Sequence, residues 1–127
     1  MFVHVVWGTW DRQPLIGDDV APRLWAAVAA SLAQAGCNEI VVGGVADHVH
    51  AVFGLPAEAS LASVVQRAKG SSSHLANREL GFDGAFRWQG GYGAFGLSSR
   101  GLPAVASYVR SQREHHATGT TEHALEL

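Results

Sequence analysis

The sequence contains little cysteine and no long apolar run. Cys37 is the single cysteine, which excludes an intramolecular disulfide, and we predict that it is a small core residue beside the run 40–42. No apolar stretch approaches the ~20 residues of a transmembrane helix. The first residues also lack a basic region followed by a long apolar segment, so no signal peptide is visible. A cytoplasmic protein with no membrane partner is the default expectation.

Charged residues are scarce as well. They make up 16% of the chain, and the net charge of −2 weakly disfavours a nucleic-acid partner. The charge is unevenly distributed, with net −4 over residues 1–59, +5 over residues 60–113 and −3 over residues 114–127. A basic middle segment is typical of a phosphate-contacting face, but also of ordinary solvated arginines. Charge alone leaves both interpretations open.

What the chain does contain is a globular composition. Hydrophobic residues make up 47% of the 127 residues, which is enough for one domain with a buried core. We see no repeat and no linker, and expect a single domain over residues 1–127. The tail from about residue 118 is weakly patterned and is expected to be flexible.

The residue pattern indicates four strands and three helices. The strands are rich in β-branched and aromatic residues. The first helix is alanine-rich and ends just before Gly36, Ser60 is a candidate N-cap for the second helix, and Pro103 suits the first turn of the third. Gly70 and three serines weaken the helical pattern in the middle of the second helix. The predicted strands cover residues 2–10, 38–45, 48–55 and 92–98, and the predicted helices cover residues 18–35, 61–80 and 104–116.

The order of these elements predicts the fold class. A β-α-β-β-α-β order followed by one more helix is typical of an α+β protein with the ferredoxin-like, RRM-like arrangement. This arrangement has a four-stranded antiparallel sheet with two helices packed on one face. The other face, or the C-terminal helix, is then available for function.

Two histidines stand two residues apart in the third predicted strand, within the stretch ADHVHAVFG. Residues i and i+2 of a strand point to the same side, so His48 and His50 project together, with Cβ atoms roughly 6.5–7 Å apart. Two imidazoles at this separation can bind one metal ion, although a third ligand must come from elsewhere. The alternative, which the pattern alone leaves open, is an ordinary pair of histidines on a sheet face.

The last predicted helix carries a tyrosine and a glutamine one turn apart. Tyr108 and Gln112 are i and i+4, and most of their stripe is apolar, so it should face the protein. An unpaired buried amide costs about 1–3 kcal/mol, and a metal ion held by His48 and His50 would supply Gln112 with a partner. The alternative is a tyrosine packed by its ring, with the glutamine at the edge in water.

Together these two features predict a site for phosphodiester transfer. A divalent cation on His48, His50 and the Gln112 carbonyl oxygen would neutralise a phosphodiester oxygen. The Tyr108 hydroxyl would then attack phosphorus. A phenol, with a pKa near ~10, is a poor nucleophile when neutral but a moderate leaving group, which suits a reversible step. Mixed nitrogen and oxygen ligation indicates Mg²⁺ or Mn²⁺, although imidazole also binds Zn²⁺, Co²⁺ and Ni²⁺.

Four segments resemble the insertion-sequence-200-like family of single-tyrosine HUH transposases. They are DHVH, VVQRAKGSSS, FRWQGGYGAF and YVRSQREHH, and the resemblance extends from the first strand to about His116. It implies that His48 and His50 are metal ligands, that Tyr108 is the nucleophile and that Gln112 is the third ligand.

The resemblance also implies a substrate and an assembly. The substrate would be single-stranded DNA at transposon ends with subterminal hairpins. It would be cut and rejoined through a 5′-phosphotyrosine and a free 3′-hydroxyl, without ATP. The protein would be a homodimer whose sheets join and whose tyrosine helix often completes the metal site of the other subunit. This chain departs from the family in its short acidic tail and its lower positive charge.

Further residues are predicted to contact DNA. Arg67, Lys69 and Arg78 lie on or after the second helix and are candidates for phosphate contacts. Arg87 and Trp88 are candidates for clasping or stacking unpaired bases, and plain packing is an equal alternative for Trp88.

Asp47, Tyr92 and the remaining histidines are not predicted to take part in the chemistry directly. Asp47 either orients His48 by accepting a hydrogen bond or is simply a turn residue, which we favour slightly. Tyr92 is expected to be structural. The other histidines, namely His4, His74, His115 and His116, are expected to be structural or exposed.

Two other functions stay open. A domesticated relative would use the same chemistry on repeated palindromic elements, although such proteins more often follow the tyrosine helix with Asn-Pro, which YVRSQREHH lacks. A non-catalytic RRM-like module would bind nucleic acid on its sheet, but the strands IVVGGV and HAVFGL offer only Phe53 for stacking. A histidine-triad phosphoesterase is disfavoured because Val52 stands where a third alternate histidine is required.

Overall fold

The structure is a computed structural model that describes the backbone of residues 1–117 and the side chains of residues 1–112. The predicted tail from about residue 118 lies outside the described residues. All seven predicted strands and helices are present. They are β1 (Phe2–Gly8), α1 (Ala21–Gln34), β2 (Asn38–Val45), β3 (His48–Gly54), α2 (Leu61–Glu79), β4 (Gly93–Leu97) and α3 (Leu102–Ala117).

The first strand is shorter than predicted. β1 ends at Gly8, and the chain turns into a short 3₁₀ helix at Trp10–Arg12. Asp11 and Arg12 both have φ of 53°, in the left-handed region that side chains other than glycine rarely adopt. The extended pattern of β-branched and aromatic residues therefore gives no sign of this turn.

The helix ends match the signals in the sequence. The Ser60 side chain accepts a hydrogen bond from the Ser63 amide at 3.3 Å and caps α2. Gly36, just after α1, has φ of +89°, which glycine adopts without the penalty a Cβ would impose. The serines inside α2 do not break it, because Ser72 donates its hydroxyl to the Ala68 carbonyl one turn earlier, at 2.7 Å.

The sheet has the strand order β2-β3-β1-β4, and every neighbouring pair is antiparallel. This is the order of the ferredoxin-like fold, so the predicted fold class is confirmed. β1 and β3 lie in the centre, with Val6 opposite His50 and His4 opposite Val52. The two histidines predicted to bind metal therefore lie on a central strand of the sheet.

The two faces of the sheet bury different groups. One face forms the main core with α1 and α2. Its largest members include Val5, Trp7, Val49 and Phe53 of the sheet, Leu24, Val28 and Leu32 of α1, and Val64 and Val65 of α2. Cys37 belongs to this core, as predicted. The opposite face, which contains Val52 and the alternate residues His48 and His50, packs against α3. No helix among the described residues is long and apolar enough to cross a membrane.

Candidate active site

His48 lies at the beginning of β3 and is held by an acidic neighbour. Its Nδ1 atom is 2.7 Å from Oδ1 of Asp47. A carboxylate only accepts hydrogen bonds, so Nδ1 of His48 carries a proton, and in the tautomer protonated at Nδ1 the lone pair is on Nε2. Both interpretations of Asp47 hold in the structure: the residue lies in the short turn between β2 and β3, and its carboxylate orients the His48 ring.

Arg12 completes this arrangement from the left-handed turn after β1. Its Nε atom lies 3.4 Å from Oδ2 of Asp47, and its Nη2 atom lies 3.4 Å from Oδ1. Nη2 is also 3.3 Å from Nδ1 of His48. Since Nδ1 already donates to Asp47, the guanidinium acts mainly on the carboxylate. Gly8 leaves room for it, because a Cβ at Gly8 would lie 3.1 Å from Cδ of Arg12.

His50 is fully buried and has a histidine as its partner. Its Nδ1 atom is 2.9 Å from Nε2 of His4, on the neighbouring strand β1, and the two rings are stacked with centroids 5.1 Å apart. The rings of His48 and His50 have centroids 5.0 Å apart. The two histidines thus converge on one face of the sheet, as their spacing predicts, and each has its Nδ1 atom engaged by a neighbour.

Burial and neighbouring groups together set the charge state of this cluster. Burial, together with the nearby His48 and His4, lowers the pKa of His50 to about 3. Burial also lowers the pKa of His4. Burial acts to raise the pKa of Asp47, but hydrogen bonds from His48 and Arg12 and their charges outweigh it, so this pKa is lowered. At neutral pH, His50 is therefore a neutral imidazole and Asp47 is a carboxylate.

α3 places the tyrosine and the glutamine against the same face. Tyr108 is 8% exposed, and its ring centroid lies 5.9 Å from that of His50, edge to face. Gln112, one turn later, is fully buried. The helix lies directly on β2 at Gly43, the strand partner of His50, where a Cβ would come within 2.3 Å of the Val109 carbonyl oxygen. Glycine at this position allows the close approach of α3.

The candidate ligands for a metal ion are two imidazole nitrogens and one amide oxygen. In the part of the chain that the structure describes, no three His, Cys, Asp or Glu side chains form a metal-binding group. His50 has a buried Nε2 atom that finds no hydrogen-bond partner among the described residues. Two imidazole nitrogens and one amide oxygen would leave positions for water or substrate, as in an open catalytic site. A neutral imidazole is also the form that binds metal.

Comparison with known families identifies the chain's relatives. A family model described as IS200-like transposase matches residues 1–112. The chain belongs to the IS200-like transposase family. No curated protein sequence gives a significant match.

Solved structures share the fold of this IS200-like transposase. A candidate transposase from Deinococcus radiodurans R1 is similar with a TM-score of 0.70 and 20% identity, over 89% of this chain and 91% of its own. A REP-associated tyrosine transposase, solved bound to a REP hairpin, has a TM-score of 0.65 and 14% identity, over 94% of this chain and 69% of its own. At these identities the likeness concerns the fold.

The predicted phosphate contacts lie in two different places on the transposase. Arg67 and Arg78 are exposed on α2, on the side of the sheet opposite to the histidines. Lys69 instead faces the segment after Trp88, where its ammonium donates to the carbonyl oxygens of Gln89 and Gly91 at 2.7 and 3.0 Å. Burial lowers the pKa of Lys69. Its charge is therefore already engaged by the protein.

The two residues predicted to contact bases, Arg87 and Trp88, differ in exposure. Trp88 is buried, and its Nε1 atom donates to the Ser72 hydroxyl at 2.9 Å, so its ring is not available to a base. Trp88 is therefore a packing residue, which was the alternative to base stacking. Arg87 is exposed, with its guanidinium carbon 4.2 Å above the centre of the Trp10 ring. Trp10, which the sequence pattern assigned to a strand, is 43% exposed.

His4 and Arg12 are the residues that sequence reasoning missed. His4 was expected to be structural or exposed, and it is buried; what the prediction lacked is its contact with His50. The sequence does contain a signal for His4, namely its position inside an alternating strand. A histidine that is buried there needs a polar partner. Arg12 has no comparable signal, since its position depends on the left-handed turn.

Proposed function

We propose that this transposase cuts and rejoins single-stranded DNA at insertion-sequence ends through a covalent bond between Tyr108 and a 5′-phosphate. The observation that carries the proposal is the placement of the Tyr108 ring against His50, within a face where His48 and His50 converge. A buried tyrosine beside two oriented imidazoles suits phosphoryl transfer, which depends mainly on positioning and charge neutralisation.

A divalent cation fits this site. His48, His50 and Gln112 would hold it, through two imidazole Nε2 atoms and the amide carbonyl oxygen. The observations that support the fit are the Nε2 atom of His50, which has no hydrogen-bond partner among residues 1–112, the low His50 pKa, and the hydrogen bond that turns His48 Nε2 away from Asp47. Bound Mg²⁺ or Mn²⁺ would neutralise charge on a non-bridging phosphate oxygen.

Tyr108 carries the covalent chemistry. Its phenolic oxygen attacks phosphorus and loses its proton to solvent. The bond from phosphorus to the bridging 3′-oxygen breaks, and that oxygen takes up a proton to become a free 3′-hydroxyl. In the reverse step a 3′-hydroxyl attacks the phosphotyrosine and releases Tyr108. Because one phosphodiester replaces another, no external energy source is needed.

DNA with a hairpin is the substrate class that we propose. A relative of the same fold is solved with a REP hairpin, and the chain carries exposed arginines for phosphate contacts, namely Arg67, Arg78 and Arg87. We also propose a homodimer acting in the cytoplasm. The described chain brings its own Tyr108 to its own His50, so a site shared between subunits would require α3 to leave its sheet.

The test is the formation of a covalent adduct. Labelled single-stranded oligonucleotides would be taken from the hairpin-containing DNA that flanks the gene, and incubated with protein and Mn²⁺ or Mg²⁺. We expect an SDS-resistant protein–DNA adduct, which Tyr108→Phe and EDTA each abolish. Tyr92→Phe is the matched control, because Tyr92 is the other tyrosine, and it should retain the adduct.

Other outcomes would point to other functions. Loss of the adduct in Tyr92→Phe but not in Tyr108→Phe would assign the nucleophile to Tyr92. An adduct formed only on repeated palindromes from elsewhere in the genome would indicate the domesticated relative. Metal-independent RNA binding that survives a Tyr108→Phe, His48→Ala double substitution, with no adduct on any DNA, would indicate the RRM-like binding module.

A further inference from the structure

A small cleft opens directly beside His48. It has a volume of about 240 Å³ and lies between the end of β1 and residues 89–92, which we call the glycine loop. Its lining includes Gly8, Arg12, His48, Gly90, Gly91 and Tyr92. This volume is below the ~300 Å³ at which pockets for whole small molecules begin, so the cleft suits one flat group of a longer ligand.

The glycine loop is held in place despite its composition. Lys69 donates to the carbonyl oxygens of Gln89 and Gly91, at 2.7 and 3.0 Å. The Gln89 amide donates to the Gly8 carbonyl at 2.8 Å, and its side-chain oxygen accepts from the Asp11 amide at 3.1 Å. Four hydrogen bonds therefore fix one wall of the cleft before any ligand arrives. A preformed wall lowers the ordering cost of binding.

Tyr92 gives the cleft an aromatic surface. Its side chain is 39% exposed, unlike the fully buried Phe53 and Phe86. An exposed ring at the edge of a cleft is available for stacking, and every nucleobase offers a π-face to it. Arg12 adds a positive charge on the same lining, with 64% of its side chain exposed. Because the guanidinium is paired with the Asp47 carboxylate, the Tyr92 ring is the part of this lining that suits a base.

We infer that this cleft binds one unpaired nucleobase of the DNA strand, stacked on Tyr92, next to the phosphate that Tyr108 attacks. The inference rests on the proposed function, which brings single-stranded DNA to His48. Lys69 acts in it as a positioning residue for the glycine loop. Since stacking tolerates any base, the cleft contributes affinity for unpaired strands and little sequence preference.

The test separates bases from phosphates. A fluorescein-labelled oligothymidylate of ten residues and an abasic strand of the same length carry the same phosphates, and only the first carries bases. Binding of each to the metal-free protein in EDTA would be measured by fluorescence anisotropy. We expect Tyr92→Ala to weaken binding of oligothymidylate about 5- to 150-fold and to leave binding of the abasic strand unchanged. Tyr92→Phe should bind both strands like the wild type.

Two further variants keep the result decisive. Tyr92→Leu preserves apolar volume without a π-system and should lose affinity like Tyr92→Ala, with melting curves to verify folding. Equal losses on both strands, or no loss in either variant, would overturn the inference. A base-dependent loss confined to Trp10→Ala would also overturn it and move the stacking site to the Trp10–Arg87 pair. The adduct assay is independent: base-dependent binding through Tyr92 without any adduct would reject the proposed catalysis and keep the cleft.

Discussion

The Nε2 atom of His4 lies 2.9 Å from the Nδ1 atom of His50, across the two central strands of the sheet. One of these nitrogens donates and the other accepts. For Nε2 of His50 to present a lone pair to a metal ion, Nδ1 of His50 must carry the proton and donate to His4. His4 then accepts and holds the ring in the orientation that the proposed site requires. The pair is a histidine version of the outer-shell contact that Asp47 makes to His48.

His4→Phe should therefore weaken metal binding without removing a ligand. The substitution deletes the acceptor for His50 Nδ1, and loss of such a partner typically lowers metal affinity about 10- to 100-fold. Mn²⁺ affinity would be measured by calorimetry, and the His50 tautomer by ¹⁵N chemical shifts of the imidazole. His74→Phe is the matched control, because His74 is exposed on α2. Wild-type Mn²⁺ affinity and an unchanged tautomer in His4→Phe would contradict the role of His4.

The low pKa of His50 predicts an acid-sensitive fold in the metal-free protein. The pKa of His50 in the folded chain is about 3, below the usual histidine value of 6.5, so between these values the unfolded chain binds a proton that the folded chain does not. Stability is therefore fully present above about pH 6.5 and is lost as the pH falls toward 3, by an amount on the order of a few kcal/mol. The lowered pKa of His4 acts in the same direction. Urea unfolding in EDTA between pH 7 and pH 4 would measure the slope.

His50→Gln is the variant that isolates this slope. It removes the titrating ring, so its unfolding free energy should depend less on pH than that of the wild type. An exposed His74→Gln variant controls for the loss of one imidazole from the chain. Parallel pH profiles for the wild type and His50→Gln would show that His50 titrates equally in both states.

The hydrogen bonds of Lys69 predict a particular salt dependence. A lysine that contacts a DNA phosphate adds about one unit to the slope of log affinity against log salt concentration, and its removal subtracts that unit. Because the Lys69 ammonium is engaged by the glycine loop, Lys69→Gln should weaken binding to single-stranded DNA with the slope unchanged. Arg87→Gln, at an exposed guanidinium, should reduce the slope. A reduced slope in Lys69→Gln would restore Lys69 as a phosphate contact.

The contact between Gly43 and α3 predicts a substitution that damages the site but not the main core. Alanine at position 43 would push its Cβ against the Val109 carbonyl and displace the helix that carries Tyr108. A displacement of about 1 Å can cost on the order of 10²-fold in rate, so adduct formation should slow by that order. Gly70→Ala is the control, since its Cβ meets nothing within 4 Å and should stabilise α2 by about 0.5–1 kcal/mol. Wild-type adduct rates in Gly43→Ala would mean that α3 tolerates the shift.

The parts of the molecule that the sequence predicts well are those encoded locally. His48 and His50 share a face because strand geometry alternates side chains, and Tyr108 and Gln112 share a stripe because a helix turns every 3.6 residues. Ser60 and Gly36 mark helix ends through contacts within a few residues. Each of these inferences needs only the neighbouring residues and one known period, and each agrees with the structure.

The parts that it predicts poorly depend on how distant segments meet. The His4 contact requires the register that places His4 opposite Val52, which no local pattern specifies. Arg12 reaches Asp47 because Asp11 and Arg12 adopt a left-handed backbone that residues other than glycine adopt infrequently. The sequence alone does not decide whether Trp88 stacks on a base or packs in the core. Its hydrogen bond to Ser72, sixteen residues away, decides for the core. Long-range register and strained turns thus account for the residues that were missed.

Which subunit of the proposed dimer supplies the tyrosine can be tested with mixed subunits. In the described chain the Tyr108 and His50 rings of one subunit are in contact, 5.9 Å apart. Mixing a Tyr108→Phe protein with a His48→Ala protein after partial unfolding and refolding would produce heterodimers of the proposed dimer. If each subunit uses its own tyrosine, both sites of such a heterodimer lack one essential group and no adduct forms. If the tyrosine helix crosses to the other subunit, one of the two sites has both an intact Tyr108 and an intact His48, and the heterodimer should show about half of the wild-type dimer's activity.

We expect no recovery of adduct formation for the first cut, because α3 is packed on its own sheet over Gly43. Recovery would show that α3 leaves this position in the dimer, and that the close approach at Gly43 belongs to a resting arrangement of the helix.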